Sequence, residues 1–328
     1  MRAKFPACAV LGFLLLTVLV PAQSVHYAID GKLASFDGEK SRIRELAPDV
    51  RAGEIFGTLS DGCILAGLGN LDIDRGYAIR GGYTLALLSP EGDFLNEIAS
   101  NVYHAWPAPS GETILFIDIN HNPHIYRDGA VKSLDFQRKV IQFAWLPDAS
   151  GFVFTGKPAD WSPAKINNPE STDEFLRLAD SNLFLYRFGT DGVIQLTRHP
   201  REDWNPAVSP DGGRILFQTS RFGYSCFFMV NTDGTDERQI TFPVPELKYD
   251  GNVPIAYSDE LFWNPATDDI IYGTSRPDNT PEIRRMKPDG TGAEKLAVGR
   301  NPRITNKGRT ISFLAPDKSI RSVEIKSR

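Results

Sequence analysis

The segment from Asp203 to Thr241 is a regular series of short apolar strands separated by turn sequences. A Ser-Pro-Asp-Gly turn ends at Gly212, a Ser-Arg corner follows the second strand, and an Asp-Gly turn precedes the fourth. Asp-Gly pairs favour tight hairpins because glycine adopts positive φ at no steric cost. The segment therefore predicts a four-stranded antiparallel meander, which would be only marginally stable without further copies to pack against.

Comparable meanders recur along most of the chain. They cover Glu54–Ile98, Asn101–Leu134, Val140–Thr197, Asp203–Thr241, Tyr257–Ala297 and a shorter copy at Arg300–Ile325. Their spacing of roughly 40 to 60 residues is typical of propeller blades with loop insertions. Loose strands at 25–46 are candidates for completing a sheet begun at the other end of the chain, which would remove exposed sheet edges.

These repeats predict an all-β fold. We expect a six-bladed β-propeller of four-stranded antiparallel blades, closed across the termini. Seven blades are the alternative, because the two terminal pieces together supply more than four candidate strands.

Several of these strings carry a family resemblance. Pro206–Gly212, Ile215–Arg221 and Thr232–Thr235 resemble PD40, the WD40-like repeat of the TolB C-terminal propeller. Glu260–Gly292 is similar more loosely, and Trp145–Gly156 keeps the Trp, Pro-Asp and Gly positions. The resemblance implies an exported, TolB-like β-propeller with six blades. About 30 residues precede the first full repeat after the predicted signal, so we expect the propeller without the TolB N-terminal domain.

The N-terminus has the pattern of a secretory signal. Arg2 and Lys4 precede an apolar run from Ala7 to Val20, and small residues allow cleavage after Ala22. The run is shorter than the roughly 20 residues of a membrane-spanning helix. We therefore predict a signal peptide at 1–22, one propeller domain at 23–328, a periplasmic or secreted location, and no membrane insertion after cleavage.

Composition limits the partners. Loss of Arg2 and Lys4 with the signal takes the formal net charge from −5 to −7. The mature chain is thus mildly acidic without a basic stripe, which argues against nucleic acid. Cys63 and Cys226 fall in well-separated repeats among strand-like apolar residues, so we expect buried free thiols.

Polar residues recur at one position of the first strand in each copy. If these strands line the central channel, the side chains form a ring that could bind a cation, a peptide end or only water. Solvated channel lining is the alternative, since large propellers have polar centres. Glu54 lies one residue off the alignment, and Asp203 lies two residues before the aligned Asn205. The channel-lining ligand candidates are His104, Gln142, Asp203, Asn205, Glu260 and Asn301.

Other motifs favour structural roles. His121 and His124 flank Asn-Pro without further ligands nearby, and the Asp72-Ile73-Asp74 stretch is too short for a calcium loop. The corners at Arg221 and Arg276 repeat with the fold, which favours hydrogen bonding to neighbouring turns. The repeated Trp106, Trp145 and Trp263 favour packing between blades.

The sequence lacks a Gly-x-Ser-x-Gly elbow and a catalytic domain of the size found in prolyl-oligopeptidase-type enzymes, and it predicts no catalytic residue. We expect a monomeric, non-catalytic binding protein for a protein, peptide or glycan, without a cofactor. Insertions at 67–82 and 156–181 are the expected specificity loops, the first extended and the second with helical turns at Ser171–Leu178. The competing hypothesis is a propeller enzyme, either a polysaccharide lyase or a lactonase-like hydrolase, that uses a divalent cation in the channel.

Overall fold

The computed structural model describes residues 25–36, 41–44, 51–74, 77–167, 169–190, 192–223, 225–241, 257–276 and 278–326. Antiparallel strands dominate these residues, which confirms the all-β prediction. None of the helices in the described ranges has the length and apolar character needed to cross a membrane. The predicted signal peptide at 1–22 lies outside the described residues.

The chain forms two compact units. The first comprises residues 1–119 and 123–134, and the second comprises residues 120–122 and 135–328. The described strands of the first unit are β1 Val25–Ile29, β2 Lys32–Phe36, β3 Ser41–Arg44, β4 Ala52–Thr58, β5 Ile64–Leu68, β6 Leu71–Asp74, β7 Tyr77–Gly81, β8 Tyr83–Leu88, β9 Phe94–Pro107, β10 Thr113–Asp118, β11 Pro123–Arg127 and β12 Ala130–Ser133.

The described residues of the first unit form three sheets, and their longest strand is shared between two meanders. The strand orders are β1-β2-β3, β4-β5-β8-β9-β10-β11-β12 and β6-β7. Strand β9 pairs with β8 through residues 94–102 and with β10 through residues 102–107. Asn101, at φ 55°, bends this strand where the sequence predicted a break between two copies.

The excursion at 67–82 differs from its prediction. The sequence indicated a long loop, whereas the structure has the two-stranded β6–β7 sheet in it. The pairing was missed because this short sheet is separate from the β5–β8 pairing that flanks it, although Leu71-Asp72-Ile73-Asp74 alternates between apolar and polar residues.

The second unit contains a series of meanders. Its described elements are β13 Arg138–Trp145, β14 Gly151–Pro158, α1 Pro163–Asn167, α2 Thr172–Ala179, β15 Asn182–Arg187, β16 Val193–Gln195, β17 Asp203–Val208, β18 Arg214–Thr219, β19 Cys226–Asn231, β20 Arg238–Gln239, β21 Tyr257–Trp263, β22 Ile270–Ser275, β23 Pro281–Met286, β24 Glu294–Val298, β25 Arg300–Thr305, a 3-10 turn Asn306–Gly308, β26 Thr310–Leu314 and β27 Ile320–Glu324. The sheets are β13 to β16, β17 to β20, β21 to β24 and β25 to β27, each in sequence order.

Successive sheets of the second unit pack face to face. Val153 and Leu185 of the β13–β16 sheet pack against Ile215 and Phe217 of the next sheet. The opposite face of that sheet, including Leu216, packs against the β21–β24 sheet. This stacking buries both faces of each central meander, as the repeat pattern required. Cys63 and Cys226 are buried free thiols, and burial raises the pKa of Cys226 to about 11.

Candidate functional site

Two of the predicted channel residues contact each other across neighbouring sheets. Gln142 on β13 accepts a hydrogen bond at Oε1 from the backbone N–H of Asn205 on β17, at 2.7 Å. Asn205 has φ 53°, and the β17–β18 register shifts at this point. Its side-chain amide donates to Gln218 Oε1 at 2.9 Å. A backbone N–H left out of the strand ladder is thus satisfied by the preceding sheet.

The same link recurs two sheets later. Glu260 on β21 accepts a hydrogen bond from the backbone N–H of Asn301 on β25. Asn301 also has φ 53°, and the β25–β26 register shifts beside it. Both asparagines precede a proline. The structure therefore places four of the six candidates in two repeated sheet-to-sheet links; their role as ligands stays a prediction.

Asp203 lies in a buried ion pair. Its side chain is fully buried, and Arg221 donates to both carboxylate oxygens, Nε at 3.1 Å and Nη2 at 2.7 Å. Arg221 also pairs with Glu237, and its guanidinium carbon lies 4.7 Å from the ring centroid of Phe228. The Ser-Arg corner thus closes onto the start of its own sheet, in agreement with its predicted structural role.

The remaining channel candidate, His104, lies in the first unit among aromatic rings. The imidazole of His104 lies 4.9 Å from the Phe56 ring and 4.3 Å from the Trp106 ring, centroid to centroid. Glu54 lies close enough to Tyr83 that its charge raises the pKa of that phenol, second to the effect of burial.

Other candidates from the sequence also have structural contacts. Trp263 donates from Nε1 to the carbonyl of Ala207 at 3.0 Å, which is the predicted packing between sheets. His121 Nδ1 lies 3.2 Å from the Val140 carbonyl, whereas His124 stacks on Phe116 with ring centroids 5.0 Å apart. Within the described ranges, no three His, Cys, Asp or Glu side chains form a group that could hold a metal ion.

Sequence reasoning missed Lys157, which occupies the corner equivalent to Arg221. The signal was present, because Thr-Gly-Lys at 155–157 aligns with Thr-Ser-Arg at 219–221 and 274–276. Lys157 Nζ donates to the carbonyl of Ala179 at 2.6 Å and to Glu202 Oε1 at 2.9 Å. Its side chain is 4% exposed. A buried ammonium therefore ties the end of α2 to the segment that enters β17.

We call this side of the second unit the corner end: the side where β14 and β18 end and where β13 and β17 begin. The insertion between β14 and β15 lies here and is ordered by its own contacts. Trp161 is 1% exposed and packs edge-on against His121 at 4.9 Å. Arg177 on α2 donates to both oxygens of Asp160, at 2.7 and 2.8 Å, and thereby lowers the pKa of that carboxyl.

Helix α2 confirms the helical turns predicted at 171–178. Ser171 caps it by accepting the N–H of Glu174 at 3.1 Å, and the Glu174 carboxylate accepts the N–H of Glu170 at 2.6 Å. This reciprocal arrangement resembles a capping box. On one face of the helix Leu178 is fully buried, whereas Phe175 and Leu176 are 42% and 46% exposed. The helix is therefore anchored on one side and presents large apolar side chains on the other.

The Ser-Arg corner of the β17–β20 sheet contributes an exposed aromatic ring to the corner end, and the loop that precedes β17 contributes basic side chains. Phe222 follows Arg221 and is 52% exposed. The loop between β16 and β17 carries Arg198 and Arg201, which are both exposed. His199 lies between them and accepts the N–H of Arg201 at Nδ1, 3.1 Å away. The corner end thus combines apolar anchors with exposed guanidinium groups.

The charges at the corner end are coupled. Burial raises the pKa of Asp180, while Lys157 and a hydrogen bond from Asn182 oppose that rise. Burial lowers the pKa of His199, and the positive charges of Arg221 and Arg201 lower it further. Burial, with the two arginines as a smaller effect, therefore favours the neutral form of the His199 imidazole.

Comparison with known proteins places the fold. No protein-family model matches the sequence. A structure described as TolB from Agrobacterium tumefaciens has a TM-score of 0.55 at 16% identity, over 88% of this chain and 94% of that one. The chain has a TolB-like β-propeller fold. An oligogalacturonate lyase in complex with manganese is similar to this propeller, with a TM-score of 0.62 at 12% identity over 92% of this chain and 84% of that one.

One curated relative is similar in sequence. An uncharacterized protein of Agrobacterium fabrum is 25% identical to the propeller chain in an alignment of 207 residues that covers 58% of this chain. The match spans 66% of that protein, just under two thirds of its length.

Proposed function

We propose that the chain is an exported, non-catalytic β-propeller that binds a protein or peptide through its corner end. In this proposal it has six blades closed across the termini, and a signal peptide at 1–22 directs it to the periplasm or the medium. The TolB-like fold supports such a role, because propellers place variable loops on a rigid scaffold.

One observation carries the proposal: an ordered insertion exposes large apolar side chains. Phe175 and Leu176 project from α2, and Phe222 projects from the corner of the next sheet, with exposures of 42%, 46% and 52%. Exposed aromatic and aliphatic side chains that cluster on loops are typical of protein interaction sites. Isolated exposed apolar residues need no such explanation, but these three share one end of two adjacent sheets.

The insertion is also held in place before any partner binds. Lys157 donates a hydrogen bond to the C-terminal end of α2, and Trp161 and Leu178 are the buried side chains of the insertion. Asp160, near the start of the insertion, pairs with Arg177 on α2. Ordering a flexible loop costs about 0.5–1.5 kcal/mol for each immobilised side chain. A preordered insertion avoids much of that cost, so the structure supports recognition by a rigid surface.

Site-specific photocrosslinking tests the proposal. Phe222 is replaced by the photoreactive benzoylphenylalanine in the exported protein, and Ile194 is replaced in a control protein, because Ile194 is equally exposed at 53% but lies on the outer strand β16. We expect discrete protein adducts from position 222 that disappear in the Phe175→Ser/Leu176→Ser background. Identical adducts from both positions, or none from position 222, would contradict binding at the corner end.

The competing hypothesis, a metal-dependent propeller enzyme, has its own test. It predicts that the purified protein holds stoichiometric metal and loses it when His104 and Glu260 are changed to Ala. Elemental analysis of the wild type and the double variant decides this, with His124→Ala as the control. Metal that is lost only in the double variant would overturn the non-catalytic proposal.

A further inference from the structure

We infer that the corner end recognises carboxylates of an acidic peptide segment, through Arg198 and Arg201 beside the Phe222 ring. The inference rests on the proposed function and deepens it by naming the chemistry of the partner.

The loop that carries the two arginines is fixed at both ends. Thr197, fully buried, accepts the N–H of Leu183 at 3.0 Å and donates to Asn182 Oδ1 at 3.3 Å. At the other end, the Glu202 carboxylate accepts a hydrogen bond from Lys157 Nζ at 2.9 Å, and the Glu202 backbone carbonyl accepts the N–H of Ser220 at 3.1 Å. The backbone that carries Arg198 and Arg201 is therefore held at both ends.

Three carboxylates at this surface already have cationic partners, and a fourth, Asp180, lies close enough to act on His199. Glu202 pairs with Lys157, and both Asp203 and Glu237 pair with Arg221. The guanidinium groups of Arg198 and Arg201 are exposed and form no ion pair with the residues that the structure describes.

The aromatic ring lies next to these charges. The hydrogen bond from Ser220 N–H to the Glu202 carbonyl places the two chain segments side by side. Phe222 lies two residues beyond one partner and Arg201 lies one residue before the other, so their Cα atoms are separated by on the order of 10 Å. A carboxylate on the arginines and an apolar side chain on the ring can therefore come from neighbouring residues of one peptide.

The apolar component favours a peptide over an acidic glycan. Leu176 and Phe175 extend the surface with hydrocarbon groups that would face sugar hydroxyls without offering them hydrogen bonds. Arginine together with aromatic side chains is the composition enriched at protein interfaces. Bidentate guanidinium pairing with carboxylates supplies the orientation that apolar contacts lack.

Selection from a phage-displayed library of random 12-residue peptides tests the inference. We expect enrichment of peptides with Asp or Glu beside Leu or Phe, whose synthetic versions bind at least tenfold more weakly to the Arg198→Ser/Arg201→Ser variant and more weakly at higher salt. The matched control is Arg300→Ser/Arg309→Ser, which removes two other exposed arginines of the second unit and should change the affinity less than twofold.

The outcomes separate this inference from the proposed function. Enriched peptides that lack acidic residues, or that need Phe222 and Leu176 but not the two arginines, would overturn carboxylate recognition and leave peptide binding intact. Displacement of the peptide by oligogalacturonate would favour an acidic glycan and overturn the peptide assignment. Failure to enrich any peptide would overturn the peptide assignment, whereas the proposed function would still be decided by the photocrosslinking test.

Discussion

Removal of the Asp203 charge should strongly destabilise the second unit. In Asp203→Asn the side chain keeps its shape, but Arg221, whose side chain is 9% exposed, loses its bidentate partner. Breaking a buried ion pair from one side typically costs 3–5 kcal/mol, because the other charge remains buried without compensation. Glu237 still pairs with Arg221 and is 29% exposed, so we expect the lower end of the range, about 3 kcal/mol.

The control is an exposed pair with equally close contact. Asp317 and Arg321 lie 2.6 Å apart, but their side chains are 56% and 59% exposed. Asp317→Asn should leave the free energy of unfolding nearly unchanged, since exposed pairs are screened by solvent. Urea denaturation at pH 7, followed by tryptophan fluorescence, measures both variants.

A double-mutant cycle shows whether the loss of stability in Asp203→Asn arises from the buried Arg221 charge that is left without its partner. Arg221→Met removes that charge while preserving most of the contact with Phe228. The Asp203→Asn/Arg221→Met protein should therefore be less destabilised than the sum of the single variants, by about 2 kcal/mol. Additive effects, or an Asp203→Asn protein as stable as the Asp317→Asn control, would refute the reasoning.

Three further changes test other contacts by urea denaturation. Gln142→Ala should cost about 1–3 kcal/mol and speed hydrogen exchange at the Asn205 amide, which loses its acceptor; unchanged exchange would contradict the link. Burial lowers the pKa of His26 to about 4, so the neutral imidazole contributes fully to the free energy of unfolding above pH 6.5, and this contribution is lost as the pH falls toward 4. His26→Gln should therefore reduce the change in the free energy of unfolding between these pH values by up to about 3 kcal/mol. An unchanged pH dependence would refute this. Gly151→Ala places a Cβ 2.2 Å from a carbonyl oxygen and should cost about 3 kcal/mol, whereas Gly213→Ala, with its nearest atom at 3.5 Å, should be nearly neutral.

The turns could be predicted from the sequence because their conformation is local. Asp30-Gly31 has both φ angles positive, as an Asp-Gly hairpin requires, and the turn that ends at Gly212 connects the predicted first two strands of its meander. Helix α2 was predictable for a similar reason, since its Ser171 cap and first-turn acids act within a few residues.

Contacts between sheets were not predictable in the same way. Alignment of the copies brought Gln142 and Asn205 to equivalent positions, which suggests a ring of independent side chains. The structure instead joins them directly, because the bulged β17 turns its N–H toward the preceding sheet. One sequence shows that positions are equivalent in the repeat, but the offset between neighbouring sheets depends on how their faces pack.

The links between sheets make the first strands of the meanders part of the scaffold and leave the corner end as the candidate binding surface. Four of the six channel candidates form hydrogen bonds between sheets, and Asp203 neutralises Arg221. Substitutions at these positions would therefore change the stability of the scaffold as well as any ligand binding. Arg198, Arg201 and Phe222 are exposed and lie on loops whose ends are fixed by other residues. Surface substitutions of this kind usually change stability by less than about 0.5 kcal/mol. A loss of binding in variants of these loop residues would therefore indicate a direct role in recognition. In variants of the channel candidates, a loss of binding could equally follow from a loss of folded protein.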